Sequence, residues 1–390
     1  MKIAVLIDQL NVGGVEKVAM EEVRTLNDMG HHAELVVLRR KALVDNPFPG
    51  LQRLIPITYL DDRLPWFLKG SFRLRPFYFL ALFHFTYPIL LPWTVSRRKY
   101  DLTISHNSYT TITALSFKWL RAIPYVMYVW DPSASIASHV YVRGVLGRIR
   151  ALTVPLAALL DKTLASNALA VFTSGTSHVG FLRQLTEPSK VRLLAPGRSP
   201  RANLPVDRGS YLITVTAWKE GKHLEDLLIA LAELGEGELK VAGRWLHESY
   251  RLSIDRLIAK LNLSDRIQIT GTLAEDELDD LYAGARAVVI PSEERGFGLA
   301  ALEGAANGCP FIMPSNCGAA GFFEDGVDGM LFPPGDLARL RECAGQMLTD
   351  ERRAYRMGQH AHELVSTKYT WKRHVQNLLR CVQAEPASPA

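Results

Sequence analysis

The feature that most constrains the fold is a segment in which an apolar run, a glycine-containing turn and a helical pattern follow one another. Ala285–Ile290 has the length and β-branched content of a buried parallel strand. Leu299–Ala306 consists mostly of Leu and Ala, and Asn307-Gly308 follows it as a C-cap. This order directs backbone N–H groups and the positive end of a helix dipole to the carboxyl end of the strand. The segment therefore predicts an α/β unit with a candidate anion site.

The turn also carries residues that suit a phosphate attached to a sugar. Gly296 and Gly298 allow the backbone to approach a bulky anion closely. Glu303 lies on the predicted helix, within reach of a hydroxyl-bearing part of the same ligand. The alternative is an ordinary βα turn in which glycine serves packing, and these residues alone leave both interpretations open.

Length and charge indicate two globular domains with different surfaces. A chain of 390 residues is long enough for two cores, and 22% charged with 48% hydrophobic residues excludes disordered and multi-span membrane proteins. Residues 1–200 carry 24 Lys and Arg against 13 Asp and Glu, whereas residues 201–390 carry 21 against 27. The basic half indicates an anionic substrate or surface facing it.

Cysteine usage and the N-terminus indicate a cytoplasmic protein. The four cysteines lie in the second half without CxxC spacing, which predicts free thiols in a reducing compartment. The chain opens directly into the strand pattern Lys2–Ile7, so no signal peptide is predicted.

The first strand leads into a second candidate anion site. Gly13 and Gly14 precede a helical pattern over Val15–Met29, and a further turn and strand follow at 30–38. The repeated strand–helix order predicts a doubly wound sheet, although the G-x-G-x-x-G fingerprint is absent.

Two later strands of the first half end in polar residues. His106 follows Asp101–Ser105, and Asp131 follows Pro124–Trp130. Such positions line the ligand crevice of α/β domains, so both residues are candidates for acid–base or hydrogen-bonding work. A purely structural histidine is the alternative.

Residues 64–99 combine aromatic side chains with Lys and Arg. The apolar run Phe77–Trp93 is short of the ~20 residues that span a bilayer. It fits either a helix buried against the sheet or an interfacial segment on anionic lipid. The cations that would contact lipid phosphates are Lys69, Arg73, Arg75, Arg97, Arg98 and Lys99.

A Pro-rich linker at 199–209 separates the halves, and the strand–helix order restarts at 211. Lys219 and Lys222 lie on the first loop of the second half, where they would neutralise phosphates if the loop faces the glycine turn. Solvated lysines are the alternative. The sequence contains no Asp-x-Asp, no zinc-type His/Cys spacing and no Gly-x-Ser-x-Gly, so no metal site or Ser-His-Asp hydrolase is predicted.

Taken together, these motifs resemble the retaining glycosyltransferases of glycosyltransferase family 4, which have the GT-B fold. The resemblance covers nearly the whole chain and is strongest over about 211–375. Its matching positions are Gly13-Gly14 with Glu16, Lys222, Pro291-Ser292, Gly296-Phe297-Gly298-Leu299, Glu303, the segment 324–336, and Tyr369-Thr370-Trp371.

The sequence departs from the family pattern at three places. The first Glu of the family pair falls on Arg295, and Glu294 is one residue early. The phosphate-loop Arg falls near Ala217, so Lys219 is expected to supply that charge. Trp130-Asp131 stands where many members have His-Asp.

The resemblance implies two doubly wound Rossmann-like domains facing each other across a cleft. It implies an acceptor-binding domain over 1–198, a donor-binding domain over 210–365, a helix over 366–383 packing back towards the N-terminal domain, and a disordered tail over 384–390. The cleft is expected to close over the donor.

The resemblance also implies a metal-independent, retaining glycosyltransferase without a cofactor, whose UDP- or GDP-sugar donor is a substrate. Its acceptor would be a glycan or lipid-linked sugar used in cell-surface polysaccharide or glycolipid assembly, with peripheral contact to an anionic membrane and no nucleic acid. The residues predicted to be catalytic are Glu294, Arg295, Asp131 and His106. Residues expected on the donor are Gly13, Gly14, Lys219, Lys222, Gly296, Phe297, Gly298, Leu299 and Glu303. Alternatives are a GT-B epimerase or phosphorylase and a catalytically silent binding protein.

Overall fold

The computed structural model describes residues 1–10, 13–39, 48–60, 62, 100–135, 145–205, 208–292 and 297–383. These residues form two compact units. One contains residues 1–174, 178–194 and the described residues from Trp371 onward, and the other contains 175–177 and 195–370. The change of unit after Leu194 lies close to the predicted boundary at 198.

The first unit is built on a parallel sheet of seven strands in the order β3-β2-β1-β4-β5-β6-β7. Its three central strands, Lys2–Ile7, Leu102–His106 and Tyr125–Val129, are fully or largely buried and mostly apolar, as expected of strands covered on both faces. The strands of the sheet are Lys2–Ile7 (β1), His32–Val37 (β2), Ile57–Tyr59 (β3), Leu102–His106 (β4), Tyr125–Val129 (β5), Val171–Thr173 (β6) and Val191–Leu193 (β7).

Helices of the first unit connect these strands and cover the sheet. Their buried faces join strand residues such as Leu6 and Met127 in one core. They are Gly14–Asp28 (α1), Pro49–Gln52 (α2), Asn107–Arg121 (α3), Val145–Asn167 (α4) and Thr176–Leu185 (α5), the first residues of α5 being assigned to the other unit. A C-terminal helix, described below, belongs to the same unit.

The second unit repeats the plan with six parallel strands in the order β10-β9-β8-β11-β12-β13. Leu212, Val241 and Ile312 lie in its core together with helix residues such as Leu228. The strands are Tyr211–Val215 (β8), Glu238–Ala242 (β9), Ile267–Gly271 (β10), Ala287–Val289 (β11), Phe311–Pro314 (β12) and Gly329–Phe332 (β13).

The α-helices of this unit alternate with the strands up to β12, which leads into a short 3-10 helix at Gly318–Phe322, and two α-helices come in succession after β13. The α-helices are Leu224–Leu234 (α6), Glu248–Lys260 (α7), Glu275–Gly284 (α8), Leu299–Ala306 (α9), Leu337–Thr349 (α10) and Glu351–Lys368 (α11). The last described helix of the chain, Trp371–Gln383 (α12), belongs to the first unit. It begins later than the predicted 366, because α11 continues to Lys368 and the chain leaves helical geometry at Tyr369.

Both strand orders confirm the predicted α/β class with two doubly wound, Rossmann-like domains. Each order reverses direction between the first and fourth strands of its sheet, which are β1 and β4 in the first unit and β8 and β11 in the second. Ligands of such sheets bind outside the carboxyl ends of the strands at this switch point. The loops after these four strands are therefore where a site is expected.

Several predicted features lie outside the described residues. They are the aromatic and basic segment 64–99, the residues Glu294, Arg295 and Gly296, and the tail 384–390. Within the described part of the chain, no helix has both the length and the apolar character needed to cross a membrane. Cys309, Cys317 and Cys343 are buried and form no disulfide, as the sequence predicts for these three.

Candidate functional site

The turn after β11 enters helix α9 through a glycine in the left-handed region. Gly298 is the N-cap of α9 and has φ +82° and ψ +61°, a conformation that glycine adopts without a Cβ penalty. Phe297 before it is buried, packs edge-on against Phe322 at 5.3 Å, and accepts a hydrogen bond from the Cys317 thiol at 3.6 Å. This packing fixes where α9 begins, and therefore where the backbone N–H groups of its first turn lie.

Glu303 lies on α9, as the sequence predicts. Its side chain is half-buried, and its Oε2 accepts a hydrogen bond from the Tyr282 hydroxyl on α8 at 3.2 Å. The helix itself is held to the sheet by small buried residues, among them Ala301 and Ala305. Glu303 is therefore a carboxylate on a firmly packed helix that begins at the carboxyl end of β11.

The turn that carries Lys219 and Lys222 follows β8 and is anchored by a tryptophan. Trp218 is fully buried and donates its indole N–H to the carbonyl of Ala242 at 2.8 Å. The Lys222 amide donates to the Lys219 carbonyl at 3.2 Å, and Gly221 between them has φ +83°. Lys219 is exposed and Lys222 is half-buried, so the turn presents positive charge to solvent.

The topology brings these two turns to the same edge of the second sheet. Strands β8 and β11 are hydrogen-bonded neighbours in parallel register, with Leu212 opposite Ala287 and Ile213 opposite Val288. Their carboxyl ends therefore lie side by side at the switch point. The turn with Lys219 and Lys222 and the turn into α9 both leave the sheet at this edge, and lysines and a helix N-terminus each favour an anion.

Two family models match consecutive parts of the chain. A model described as "Glycosyl transferase 4-like domain" matches residues 13–197, and one described as "Glycosyl transferases group 1" matches residues 198–364. Together they span most of both Rossmann-like domains. The chain belongs to glycosyltransferase family 4.

Curated relatives of this family 4 protein match over only part of their length. The D-inositol 3-phosphate glycosyltransferase of Frankia alni is 32% identical in an alignment of 186 residues that covers 42% of this chain and 45% of the relative. The MMP alpha-(1->4)-mannosyltransferase of Mycolicibacterium hassiacum is 29% identical over 174 residues, or 40% and 42% of the two chains. The chain spans less than half the length of these relatives.

Solved structures similar to this family 4 protein share the fold over nearly the whole chain. Anabaena HepE in complex with UDP and glucose superimposes with a TM-score of 0.73 at 17% identity, covering 98% of this chain and all of that one. The sucrose-phosphate synthase of Thermosynechococcus elongatus gives 0.72 at 18% identity and 98% coverage of both chains. At this identity the likeness supports the GT-B fold alone.

The glycine pair of the first domain lies at the N-terminus of α1, after β1. Gly13 is its N-cap, with extended backbone at φ −156°, and Gly14 is its first residue. The carboxylate of Glu16 occupies the space where a side chain on Gly13 would lie. This confirms the predicted glycine-rich start of the helix, while binding of the donor by these glycines stays a prediction.

His106 is the last residue of β4, and both of its ring nitrogens are engaged. It is 1% exposed, its Nδ1 accepts from the Trp130 indole N–H at 3.2 Å, and its Nε2 donates to Glu22 Oε2 at 2.9 Å. The other oxygen of Glu22 accepts from His374 Nε2 at 2.8 Å. These contacts give His106 a structural role, and its predicted part in catalysis stays a prediction.

Asp131 follows β5, the neighbour of β4, so both predicted residues lie at adjacent strand ends. The Asp131 side chain is 49% exposed, and its Oδ1 lies 3.9 Å from His178 Nε2. The loop that contains Asp131 is tied down by Asp161 of α4, which accepts from the Ala134 amide at 3.2 Å and the Ser108 hydroxyl at 2.8 Å. Burial raises the pKa of Asp161, and these hydrogen bonds oppose the rise.

The sequence did not single out Glu22, Asp161, Tyr282 or Arg198, although all four organise the two switch points. Glu22, Asp161 and Tyr282 lie within helices and Arg198 lies just before the linker, and all four meet their partners only through the fold, so no local motif marks them. Within the described residues, no group of three or more His, Cys, Asp or Glu side chains is arranged to hold a metal ion.

Proposed function

We propose that this family 4 protein is a retaining glycosyltransferase that uses a nucleotide-sugar donor. The observation that carries the proposal is that the Lys219–Lys222 turn and the turn into α9 follow adjacent parallel strands, β8 and β11, at the switch point of the second domain. Two cations and a helix N-terminus suit a diphosphate, and Glu303 on the same helix suits the hydroxyls of a ribose. The names of relatives and the UDP and glucose bound by Anabaena HepE agree with this ligand class.

In the proposed reaction, the bond between the anomeric carbon of the sugar and the diphosphate oxygen breaks. A hydroxyl oxygen of the acceptor forms the new bond on the same face of the sugar, and its proton goes to the leaving diphosphate. Lys219, Lys222 and the first-turn amides of α9 stabilise the charge that develops on that leaving group. We place the acceptor, a glycan or lipid-linked sugar, on the first domain near Asp131.

We further propose a cytoplasmic protein that contacts the inner face of an anionic membrane and serves cell-surface polysaccharide or glycolipid assembly. The support is the excess of Lys and Arg over Asp and Glu in residues 1–200 and the cations around the aromatic run of residues 77–93.

A panel of UDP-, GDP- and ADP-sugars tests the proposal and its alternatives together. We expect one donor to raise the Tm and to give transferred or slowly hydrolysed sugar with its anomeric configuration retained, as NMR would show. Sugar 1-phosphate formed only with added phosphate would indicate a phosphorylase, and an epimerised donor would indicate an epimerase. Stabilisation without any product would indicate a binding protein.

The substitution Glu303→Gln tests whether Glu303 binds the donor. The amide keeps the size of the side chain but accepts hydrogen bonds on one side only, so we expect donor affinity to fall about tenfold. Glu363→Gln is a suitable control, because Glu363 is exposed on α11. An equal effect of the two substitutions would contradict a role for Glu303 in donor binding.

A further inference from the structure

The carboxylate of Glu303 is held from a neighbouring helix. The Tyr282 hydroxyl on α8 donates to Glu303 Oε2 at 3.2 Å. Tyr282 is fully buried, so water does not compete for its hydroxyl, and hydrogen bonds to a charged acceptor are stronger than neutral ones. Tyr282 is therefore positioned to restrict the orientation of Glu303.

The chemistry of Tyr282 keeps this hydrogen bond in place across the pH range of an assay. Burial raises the pKa of the phenol well above its ordinary value, and the negative charge of Glu303 raises it further, while Arg198 opposes the rise. The phenol thus keeps its proton and remains a donor.

A buried arginine, Arg198, lies close enough to Tyr282 and Glu303 to interact with them electrostatically. Arg198 is 7% exposed and donates to Glu275 Oε1 at 2.8 Å and to Asp279 Oδ1 at 2.7 Å, one turn apart on α8. Burial alone would lower its pKa, but the charge of Glu303 and then the charges of Asp279 and Glu275 raise it. The guanidinium therefore lies in the electrostatic field of Glu303, while its two hydrogen bonds to α8 leave the Tyr282–Glu303 contact intact.

The backbone of Glu303 is tied to the same network. Asn307 donates through Nδ2 to the Glu303 carbonyl at 3.0 Å and to Asp279 Oδ1 at 2.8 Å. The main chain of Glu303 is thus connected to α8 through Asn307, and its side chain is connected to α8 through Tyr282. A carboxylate that receives two vicinal hydroxyls gains affinity when its orientation is set in advance.

We infer that Tyr282 is a positioning residue for the donor, which fixes the Glu303 carboxylate for the ribose hydroxyls of a nucleoside diphosphate. This inference rests on the proposed function, because it assigns the ribose to Glu303. It goes beyond that function by placing part of the ribose recognition in a residue that does not touch the donor.

The experiment compares ribonucleoside diphosphates with analogues that lack both ribose hydroxyls. Affinities of UDP, GDP and ADP and of their 2′,3′-dideoxy counterparts are measured by calorimetry for the full chain. We expect Tyr282→Phe to weaken binding of the preferred ribonucleotide about five- to thirty-fold and to leave its dideoxy counterpart nearly unchanged. The preference for the ribose diol therefore falls by the same factor.

Tyr211→Phe is the matched control for a merely structural effect. The Tyr211 hydroxyl donates to the carbonyl of Leu281 at 2.8 Å, so this variant loosens the same helix one residue from Tyr282 without touching Glu303. We expect it to retain the wild-type preference for the ribose diol. In a Glu303→Gln background, Tyr282→Phe should cause little further loss, because the two residues act through one contact.

Three outcomes would overturn the inference while leaving the donor site standing. They are an unchanged diol preference in Tyr282→Phe, an equal loss of diol preference in Tyr211→Phe, and additive losses of affinity when Tyr282→Phe is combined with Glu303→Gln. A wild-type protein that binds none of the three ribonucleotides would overturn the proposed donor site, and this inference with it. If Tyr282→Phe lowers the yield of folded protein, Asn307→Ala tests the same network and should reduce the diol preference in the same direction.

Discussion

Glu22 and His374, which are 352 positions apart in the chain, share a 2.8 Å hydrogen bond inside the first domain. Glu22 lies on α1 and His374 on α12, and both side chains are almost wholly buried. The second oxygen of Glu22 accepts from His106 at 2.9 Å. One carboxylate thus joins the C-terminal helix to the switch point of the first sheet, and α12 is a part of that domain's core.

We expect Glu22→Gln to lower the free energy of unfolding by about 3 kcal/mol or more, because it leaves two buried imidazoles without their anion. Urea unfolding near pH 7 measures the loss. Glu21→Gln is the control on the same helix, since Glu21 only pairs with Arg24 near the surface and should cost less than about 1 kcal/mol. Equal losses in the two variants would contradict the buried-network interpretation.

The same carboxylate predicts a loss of stability in acid. Burial alone would raise the pKa of Glu22, but the charges and hydrogen bonds of His106 and His374 lower it from 4.5 to about 2. A folded-state pKa below the unfolded value stabilises the protein above pH 4.5, and that contribution is lost as pH falls towards 2. The stability difference between wild type and Glu22→Gln should therefore shrink across this window. A constant difference would contradict the assignment.

Local signals were sufficient to predict the architecture and the positions of the turns that follow β8 and β11. The apolar runs of β1, β8 and β11, each followed by a turn and a helix, require only periodicity and glycine placement to be recognised. The predicted helix Leu299–Ala306 matches α9 residue for residue because Gly298 starts it and Asn307 ends it.

The interactions that hold the switch points were not predictable in this way. Glu22 and His374 meet only because the chain returns to the first domain at its end. In the sequence, Arg198 is only the last residue before a predicted Pro-rich linker. In the structure it is buried and donates hydrogen bonds to two carboxylates on α8. Such contacts depend on which elements become neighbours, and a single sequence does not report this.

Lys222→Ala should weaken donor binding roughly ten- to hundred-fold with little change in Tm, because one charge-assisted contact is typically worth ~1.5–3 kcal/mol. Titration with the nucleotide that stabilises the wild type measures the change. Lys260→Ala is the control, since Lys260 is an exposed lysine at the end of α7. Unchanged donor affinity in Lys222→Ala would contradict the phosphate role of this turn.

Gly298→Ala should affect both stability and donor binding. Its φ of +82° costs a residue with a Cβ about 1–2 kcal/mol, and relief of that strain would move the first turn of α9. Gly235→Ala is a matched control, because Gly235 has φ +74° and ends α6, with no atom crowding an added Cβ. Both variants should lose similar stability, and only Gly298→Ala should lose donor affinity. A comparable affinity loss in both would show that strain alone is responsible.

Binding to anionic vesicles should depend on the cations around the aromatic run of the first half. Each Lys or Arg near an anionic surface contributes about 1 kcal/mol, and the attraction weakens with ionic strength. Co-sedimentation with vesicles containing phosphatidylserine should therefore fall on adding salt and in a variant with Arg97, Arg98 and Lys99 replaced by Gln. Sedimentation that is indifferent to lipid charge and to salt would contradict the electrostatic part of the proposal.

We predict that Glu294 or Arg295 contacts the transferred sugar. Arg295 occupies the position of the first Glu of the family pair, and Glu294 precedes it. A fixed guanidinium charge suits a phosphate or a sugar carboxylate, whereas a carboxylate suits sugar hydroxyls. We expect Arg295→Ala or Glu294→Ala, measured for turnover and donor affinity, to lose activity while the other retains it. Loss only in Arg295→Ala would indicate an anionic group on the donor or acceptor, and loss only in Glu294→Ala would indicate that this neighbour replaces the family Glu. Full activity in both variants would show that neither residue contacts the sugar.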